Sequence, residues 1–296
     1  LVSLIRSYLQ QRTFRVRAGS AYSSARPILA GVPQGSLLGP VLYLLYASDM
    51  PRNLPGTIVA QYADDTAILC SSRSPELATS KLQAAARRLE LWTRRWRIEV
   101  NADKSKAVLF HRLRKPKPSG HVIIGGSRVL WVEEATYLGV VLDRRLNFNS
   151  HTQLIRRKAY AVVQMLFPLL SRQSSLSLGN KVLLYKTCIR PVMTYAVPAW
   201  GFSSKTSWKR LQQVQSKILR MATNSPWFIR NLNLHRDLDI PMIAEYCREL
   251  VSDFFETAST HPNPTISQAS EYLPSTRFRH ARPRDFLAVA PTEAGR

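Results

Sequence analysis

Residues 57–70 constrain the fold of this chain more than any other stretch. Two apolar runs, β-prone and apolar enough to be buried, flank the adjacent carboxylates Asp64 and Asp65 with no Gly, Pro or Asn between them. The pattern predicts a β-hairpin, although tight hairpin turns favour Asn-Gly or Asp-Gly, whose residues accept positive φ. Two carboxylates about 5 Å apart repel by about 3 kcal/mol at an effective dielectric constant near 20. The pair is therefore either a solvated acidic turn or a site for a divalent metal ion.

The excess of basic residues indicates a polyanionic partner. The chain has 296 residues, with 42 Lys and Arg against 19 Asp and Glu, and a formal net charge of +23. Nucleic acid is the first candidate and an anionic membrane surface the second. The basic residues are spread over several elements, and no apolar run approaches the roughly 18 residues of a membrane span, so we expect no membrane partner. The three cysteines are far apart, which argues against a disulfide framework or a zinc site and fits a reducing, intracellular compartment.

A loop rich in Gly and Pro precedes an apolar helix in residues 30–46. Ser36 is placed to cap this helix and Pro40 lies in its predicted first turn. Gly31, Gly35 and Gly39 would let the backbone approach a ligand closely, and a helix N-terminus favours phosphate. The same features suit a structural connection before a core helix, and the loop alone does not distinguish the two.

The remaining segments predict a sheet-rich part followed by a helical part. Ser74-Pro75-Glu76 is typical of a helix start, and the apolar stripe that follows is predicted to be core. Residues 122–124, 129–132 and 137–142 are predicted strands, and Gly139 within the last one indicates close backbone approach or a bulge. Helices are predicted from about residue 150, with three apolar stripes: Leu154, Ala161, Met165 and Leu169; Leu178, Val182, Tyr185 and Ile189; Trp208, Leu211, Val214, Ile218 and Ala222.

Read together, four ordered motifs resemble the reverse transcriptases of non-LTR retrotransposons. They are Ala30-Gly31-Val32-Pro33-Gln34-Gly35-Ser36-Leu37-Leu38-Gly39-Pro40, Tyr62-Ala63-Asp64-Asp65, Asn101-x-x-Lys104 and Tyr137-Leu138-Gly139. The helical residues 181–186 and 191–201 are similar to the jockey-type branch of that family. The resemblance covers nearly all of the chain up to about residue 250.

The resemblance implies an α+β fold: a fragment of a right-hand polymerase, with a palm sheet whose antiparallel β-hairpin bears the active site and a helical thumb. We expect partial fingers and palm in residues 1–146 and the helical thumb and connection in residues 147–256. Residues 257–296, rich in Pro and Ser with scattered Arg, are predicted to be a flexible basic tail.

The resemblance also implies the roles of the site residues. Asp64 and Asp65 would be catalytic carboxylates that hold Mg²⁺, with Mn²⁺ as a possible substitute, for two-metal nucleotidyl transfer onto a primer 3′-hydroxyl. Lys104 matches a position suggested to protonate pyrophosphate, although a solvated surface lysine remains an equal alternative. The nucleotide- and template-binding residues would be Pro33, Gln34, Gly35, Ser36, Tyr62 and Ala63, and the primer grip would be Leu138 and Gly139.

One departure from the family pattern concerns a further Asp, expected on a strand upstream of the helix that ends near Leu9. The chain begins too late to contain it, so we expect an N-terminally truncated polymerase that is inactive alone. The expected partners are an RNA template, a DNA primer, deoxynucleoside triphosphates and the upstream part of the same polyprotein. Nuclear action follows only from the family's priming on chromosomal DNA. The alternatives are a non-catalytic nucleic-acid-binding remnant and a viral RNA-copying polymerase, which the Pro33-Gln34-Gly35 loop disfavours.

Overall fold

The computed structural model describes residues 1–33, 35–52, 54–111, 118–274 and 282–288. The chain forms two compact units. Unit 1 comprises Leu1–Leu109 and the described residues up to Val132. Unit 2 comprises Phe110, His111 and the described residues from Glu133 onward. This division precedes the predicted change of character at residues 146–147, and the assignment of palm and thumb to particular ranges stays a prediction.

Unit 1 mixes helices with small sheets. Its helices are α1 (Val2–Leu9), α2 (Leu38–Tyr46) and α3 (Pro75–Arg95), and its strands are β1 (Thr13–Phe14), β2 (Arg17–Ala18), β3 (Ala21–Tyr22), β4 (Arg26–Pro27), β5 (Thr57–Tyr62), β6 (Asp65–Cys70), β7 (Lys106–Val108), β8 (Val122–Ile124) and β9 (Ser127–Val132). Strands β1 and β4, β2 and β3, and β5 and β6 pair antiparallel, whereas β9 lies between a parallel β7 and an antiparallel β8. The predicted α+β class is confirmed at this level.

Helix α3 begins where its sequence predicts. The Ser74 hydroxyl accepts a hydrogen bond of 3.2 Å from the Leu77 amide, and Pro75 occupies the first helical position, where no amide hydrogen is needed. The predicted core stripe is confirmed because Ala85 and Trp92 are buried on this face. Two small cores result, one around Trp92 with α2, and one between α3 and strands β8 and β9.

The described residues of unit 2 form one hairpin followed by helices. The hairpin strands are β10 (Glu134–Tyr137) and β11 (Val140–Asp143), and the helices are α4 (Asn149–Met165), α5 (Phe167–Leu170), α6 (Leu178–Leu184), α7 (Arg190–Thr194), α8 (Val197–Trp200), α9 (Lys205–Thr223), α10 (Asn231–Asp237), α11 (Ile243–Ser259) and α12 (Pro264–Ser267). A π-helical turn, Tyr185–Ile189, joins α6 to α7. Across the described ranges, no helix combines the length and the apolar character needed to span a membrane.

The core of unit 2 confirms one predicted stripe and corrects another. The predicted stripe of α9 is buried along its whole length. The predicted stripe of α4 is wrong, because Met165 is 77% exposed and the buried face instead carries Ile155, Ala159 and Val163. Apolar residues occur on more than one face of α4, so periodicity alone does not determine which face packs.

The single strand predicted over residues 137–142 is also wrong. Tyr137 pairs with Val140, so Leu138 and Gly139 form the two-residue turn between β10 and β11. Both have positive φ, 45° and 78°, which is the requirement of a type I′ hairpin turn. The glycine in this apolar run therefore belongs to a turn between two strands and not to the interior of one strand.

The described residues of the predicted tail include a segment that packs into unit 2. Helix α11 extends to Ser259, and a 3₁₀ helix at Pro283–Ala288 follows further on. Phe286 is buried and stacks on Trp208 with ring centroids 5.1 Å apart. This aromatic contact holds the segment, because the burial of one large ring can offset the cost of ordering a few residues. Residues 275–281 and 289–296 lie outside the described part.

Candidate active site

The two predicted catalytic carboxylates lie at the tip of the β5–β6 hairpin in unit 1. Tyr62 pairs with Asp65, which leaves Ala63 and Asp64 as the two turn residues. Ala63 has a φ of 50°, in the left-handed region that residues other than Gly, Asn and Asp rarely adopt. Such an outlier costs free energy and marks a turn held in one conformation. The hairpin with its carboxylate tip was therefore predictable, but the unusual backbone of Ala63 was not.

The hairpin is more exposed than its apolar sequence predicts. The side chains of Ile58, Tyr62 and Leu69 are 64%, 66% and 51% exposed. Ile58 and Leu69 are cross-strand neighbours, so one face of the hairpin is open along its length within unit 1. The expectation of buried strands is corrected: only one face packs, through residues such as Val59 against the Trp92 core.

Both carboxylates are free to take a ligand. Asp64 and Asp65 are exposed, and neither side-chain carboxylate has a hydrogen bond or an ion pair in the part of the chain that the structure describes. Carboxylate oxygens suit a hard cation such as Mg²⁺, so the donor atoms fit the implied metal. Within the described ranges, however, no group of three or more His, Cys, Asp or Glu residues is arranged to hold a metal. The tip of the hairpin in unit 1 therefore carries two candidate metal ligands, the carboxylates of Asp64 and Asp65.

Helix α2 supplies a phenol close to the tip. Partial burial raises the pKa of the Tyr43 hydroxyl above its ordinary value, and the negative charge of Asp64 raises it further. The Tyr43 phenol therefore stays protonated at neutral pH and keeps a donor near the carboxylates. No motif in the sequence indicates this neighbour, because Tyr43 and the hairpin residue Val59 meet only by packing against the same core.

Close packing requires one of the glycines in the Gly/Pro loop. A Cβ on Gly39 would lie 2.9 Å from the Pro33 carbonyl oxygen, so only glycine lets the loop lie against α2. Gly35 has a φ of 78° and open space around its Cα, which leaves its backbone accessible. Gln34 lies outside the described residues.

Ser36 braces the loop, but it does not occupy the predicted cap position. Its hydroxyl accepts a hydrogen bond of 3.1 Å from the Leu38 amide and another from the Tyr8 hydroxyl, whereas Leu37 holds the N-cap position of α2. Arg12 donates to the Gly31 carbonyl oxygen at 2.6 Å and thereby supports the start of the loop.

Lys104 lies in a tight turn of unit 1. Its backbone amide donates to the Asn101 side-chain oxygen at 3.0 Å, and this bond within the turn explains why Asn stands three residues before Lys. Its side chain is exposed, and among the described residues no hydrogen bond or ion pair joins it to Asp64 or Asp65. The geometry keeps both interpretations of Lys104 open.

The predicted primer-grip residues lie in unit 2, at the β10–β11 turn. The Tyr195 hydroxyl donates to the Leu138 carbonyl oxygen at 3.0 Å, and a Cβ on Gly139 would lie 3.1 Å from the Tyr195 ring. Close approach was predicted for Gly139, and the approaching group within this unit is the Tyr195 ring.

A buried histidine supports the second strand of the same hairpin. The Val141 amide donates to His151 Nδ1 at 3.2 Å, and burial lowers the pKa of His151 to about 4, with a smaller contribution from the positive charge of Lys158. His151 is therefore neutral near pH 7, as its acceptor role requires. Tyr195 and His151 were missed in the sequence because their roles depend on contacts across 57 and 10 residues.

The chain is similar in sequence to known proteins. Residues 2–142 match the family described as reverse transcriptase (RNA-dependent DNA polymerase). The chain is 38% identical over 292 residues to a probable RNA-directed DNA polymerase from transposon X-element of Drosophila melanogaster, covering 97% of this chain and 32% of that protein. It is 35% identical to the RNA-directed DNA polymerases from mobile element jockey of Drosophila melanogaster and Drosophila funebris, over 89% and 99% of this chain and 29% and 33% of those proteins. The chain thus spans about a third of the length of these curated relatives.

Proposed function

Residues 2–142 belong to the reverse transcriptase family, and on that premise we propose that the chain is the part of an RNA-directed DNA polymerase of a jockey-type non-LTR retrotransposon that carries two palm carboxylates. Its substrates would be an RNA template, a DNA primer and deoxynucleoside triphosphates. The observation that carries the proposal is the exposed, unpaired Asp64–Asp65 tip of the β5–β6 hairpin.

In this proposal Asp64 and Asp65 hold divalent metal, Mg²⁺ or Mn²⁺, through their free carboxylate oxygens. Bound metal would supply charge stabilisation at the phosphates and make the primer 3′-hydroxyl a better nucleophile. The chain's own residues would orient the carboxylates that hold the metal. The turn at Ala63, fixed in the left-handed region, sets the direction in which the Asp64 carboxylate points.

The surrounding residues would bind and orient the substrates. The Pro33-Gln34-Gly35-Ser36 loop would contact the incoming nucleotide and the template, and the open backbone at Gly35 suits such an approach. Tyr62 and Ala63 would lie at the primer end, and the exposed Tyr62 ring offers a surface for stacking or packing. Lys104 would protonate the leaving pyrophosphate, acting as a general acid.

The second unit would bind the primer strand. The Leu138-Gly139 turn would form the primer grip, and Tyr195 would position it through the Leu138 carbonyl oxygen. The right-hand arrangement, with a palm around the β5–β6 hairpin and a thumb in the helices of unit 2, is part of the proposal. So are the upstream polyprotein partner and a nuclear site of action.

Primer extension on an RNA template with Mg²⁺ tests the proposal. The assay compares the 296-residue chain and its full open reading frame, each as wild type and as Asp64→Asn. We expect template-dependent synthesis by the full reading frame, its loss in Asp64→Asn, and none by the chain alone. Synthesis unaffected by Asp64→Asn would refute the assignment of the carboxylates. Synthesis by the chain alone would refute the expectation that a further carboxylate is needed.

A further inference from the structure

A β-turn in unit 2 holds two large aromatic side chains side by side in solvent. Trp227 is 87% exposed and Phe228 is 65% exposed. The Ile229 amide donates to the Pro226 carbonyl oxygen at 3.2 Å, which makes Trp227 and Phe228 the two central residues of the turn. The ring centroids lie 6.1 Å apart and the ring planes form an angle of 81°, so neither ring covers the face of the other by stacking.

A single arginine fixes the conformation of this turn. The Arg220 guanidinium, near the end of α9, donates to the carbonyl oxygens of both Pro226 and Ile229, the latter at 2.8 Å. It also donates to the Asn231 side-chain oxygen at 2.7 Å. The first and last carbonyl groups of the turn are thus held by one planar group, which presents its donors in a rigid fork. The turn is therefore held through its backbone carbonyl groups, which leaves both aromatic rings largely exposed.

The part of the chain that contains the turn is strongly basic, which favours a polyanionic ligand. Residues 144–236, all described and all in unit 2, contain no Asp or Glu and sixteen basic residues: Arg144, Arg145, Arg156, Arg157, Lys158, Arg172, Lys181, Lys186, Arg190, Lys205, Lys209, Arg210, Lys217, Arg220, Arg230 and Arg236. Arg230 directly follows the turn and is exposed, and its guanidinium group has no hydrogen bond or ion pair with any described residue. The chain thus carries, directly after two exposed aromatic residues, an exposed guanidinium group that has no partner among the described residues.

We propose that the turn at residues 226–229 is a stacking site for an unpaired nucleobase of a single-stranded nucleic acid, with Arg230 contacting an adjacent phosphate. Aromatic rings held in a basic surface are how proteins bind single strands without sequence preference, because every base has a π face. A stable protein partner would need an interface of about 800 Å² on each side, which is far more than two aromatic rings offer. A single base needs only the face of one ring. The site lies apart from the Asp64–Asp65 tip in the sequence, and binding there needs no nucleotidyl transfer.

Equilibrium binding of labelled oligonucleotides tests this site. Single-stranded RNA and DNA of about 16 nucleotides, and the corresponding duplex, are titrated with the whole chain at about 0.2 M salt, where non-specific charge contacts are weakened. We expect Trp227→Ala and Phe228→Ala each to bind either single strand about tenfold more weakly, and Trp227→Tyr to stay within about threefold of wild type. Duplex affinity should not change, since its bases are already stacked.

Two further variants separate stacking from charge and from general disturbance. Arg230→Gln should reduce the slope of log affinity against log salt on a single strand by about 0.7, whereas Trp227→Ala should leave that slope unchanged. Phe167→Ala, which removes another exposed aromatic ring of unit 2, should bind as wild type. Thermal melting confirms that each variant is folded. Wild-type affinity of both Trp227→Ala and Phe228→Ala for single strands overturns the proposal, as does an equal loss on the duplex or in Phe167→Ala.

Discussion

The hydroxyl of Tyr195 donates a hydrogen bond to the carbonyl oxygen of Leu138 across 3.0 Å, and the two residues are 57 positions apart in the chain. Leu138 has a φ of 45°, an uncommon conformation for a branched side chain. The bond therefore joins the helical part of unit 2 to the strained turn of its only β-hairpin within the described residues. The proposed primer grip depends on this contact for its shape.

Replacement of Gly139 by Ala should destabilise unit 2. The alanine backbone would have to adopt a φ of 78°, and the new Cβ would lie 3.1 Å from the Tyr195 ring. We expect a loss of about 1–2 kcal/mol in the free energy of unfolding, measured by urea denaturation. Gly126→Ala is the matched control, because Gly126 has a φ of 79° but open space around it. Equal losses in the two variants would contradict a role for the Tyr195 contact.

Replacement of Asp64 by Asn should abolish template-dependent synthesis by the full open reading frame. The amide keeps the size of the side chain but removes the negative charge that would hold the metal, so we expect primer extension to fall by about a thousandfold or more. Asp103→Asn is the control, since Asp103 is also exposed in a turn of unit 1. A comparable loss in Asp103→Asn would indicate a general charge effect instead of a site.

Replacement of Lys104 by Ala separates a general acid from a solvated lysine. If Lys104 protonates pyrophosphate, kcat falls by about a hundredfold or more while the Kd of the template–primer changes little. The Asn101 side-chain bond goes to the Lys104 backbone, so the variant keeps the turn. An unchanged kcat would leave Lys104 as a solvated residue.

Replacement of Asp49 by Asn should destabilise unit 1. The two carboxylate oxygens accept hydrogen bonds from the indole nitrogens of Trp92 and Trp96, at 2.8 and 3.1 Å. An amide offers one acceptor and turns its NH₂ towards the other indole, so we expect a loss of about 1–2 kcal/mol in the free energy of unfolding. The exposed Asp103→Asn variant again serves as the reference, and equal stability of the two variants would contradict the role of Asp49.

The stability of unit 2 should fall in mild acid because of His151. Burial lowers its pKa from 6.5 to about 4 in the folded chain, so the unfolded chain takes up the proton more readily. This difference in pKa contributes about 3 kcal/mol at most to the free energy of unfolding. The contribution is fully present above pH 6.5 and decreases as the pH falls towards 4. His151→Gln, whose side-chain oxygen can accept from the Val141 amide, should flatten this dependence in urea titrations across the range. His121→Gln, at an exposed position, should retain the wild-type dependence.

Local pattern determined much of the chain. The carboxylate hairpin at Asp64 and Asp65, the capped start of α3 and the buried stripe of α9 follow from signals within a few residues of one another: alternation, a cap with Pro behind it, and a three- and four-residue apolar period. One of the four family motifs, Tyr62-Ala63-Asp64-Asp65, lies in the hairpin, and each of the four is a short run of neighbouring residues. The resemblance to reverse transcriptases could therefore be recognised before any contact was known.

Tertiary contacts decided the rest. The spacing of apolar residues in α4 did not indicate which of its apolar faces packs against the core. The position of Gly139 in an apolar run did not indicate whether the strand continues through a bulge or ends in a hairpin turn. The clamp of Arg220 on the Trp227–Phe228 turn and the stacking of Phe286 on Trp208 join residues from separate elements. A sequence fixes propensities residue by residue. The choice among faces, turns and docking partners is made by contacts between distant residues, whose free energies exceed those local preferences.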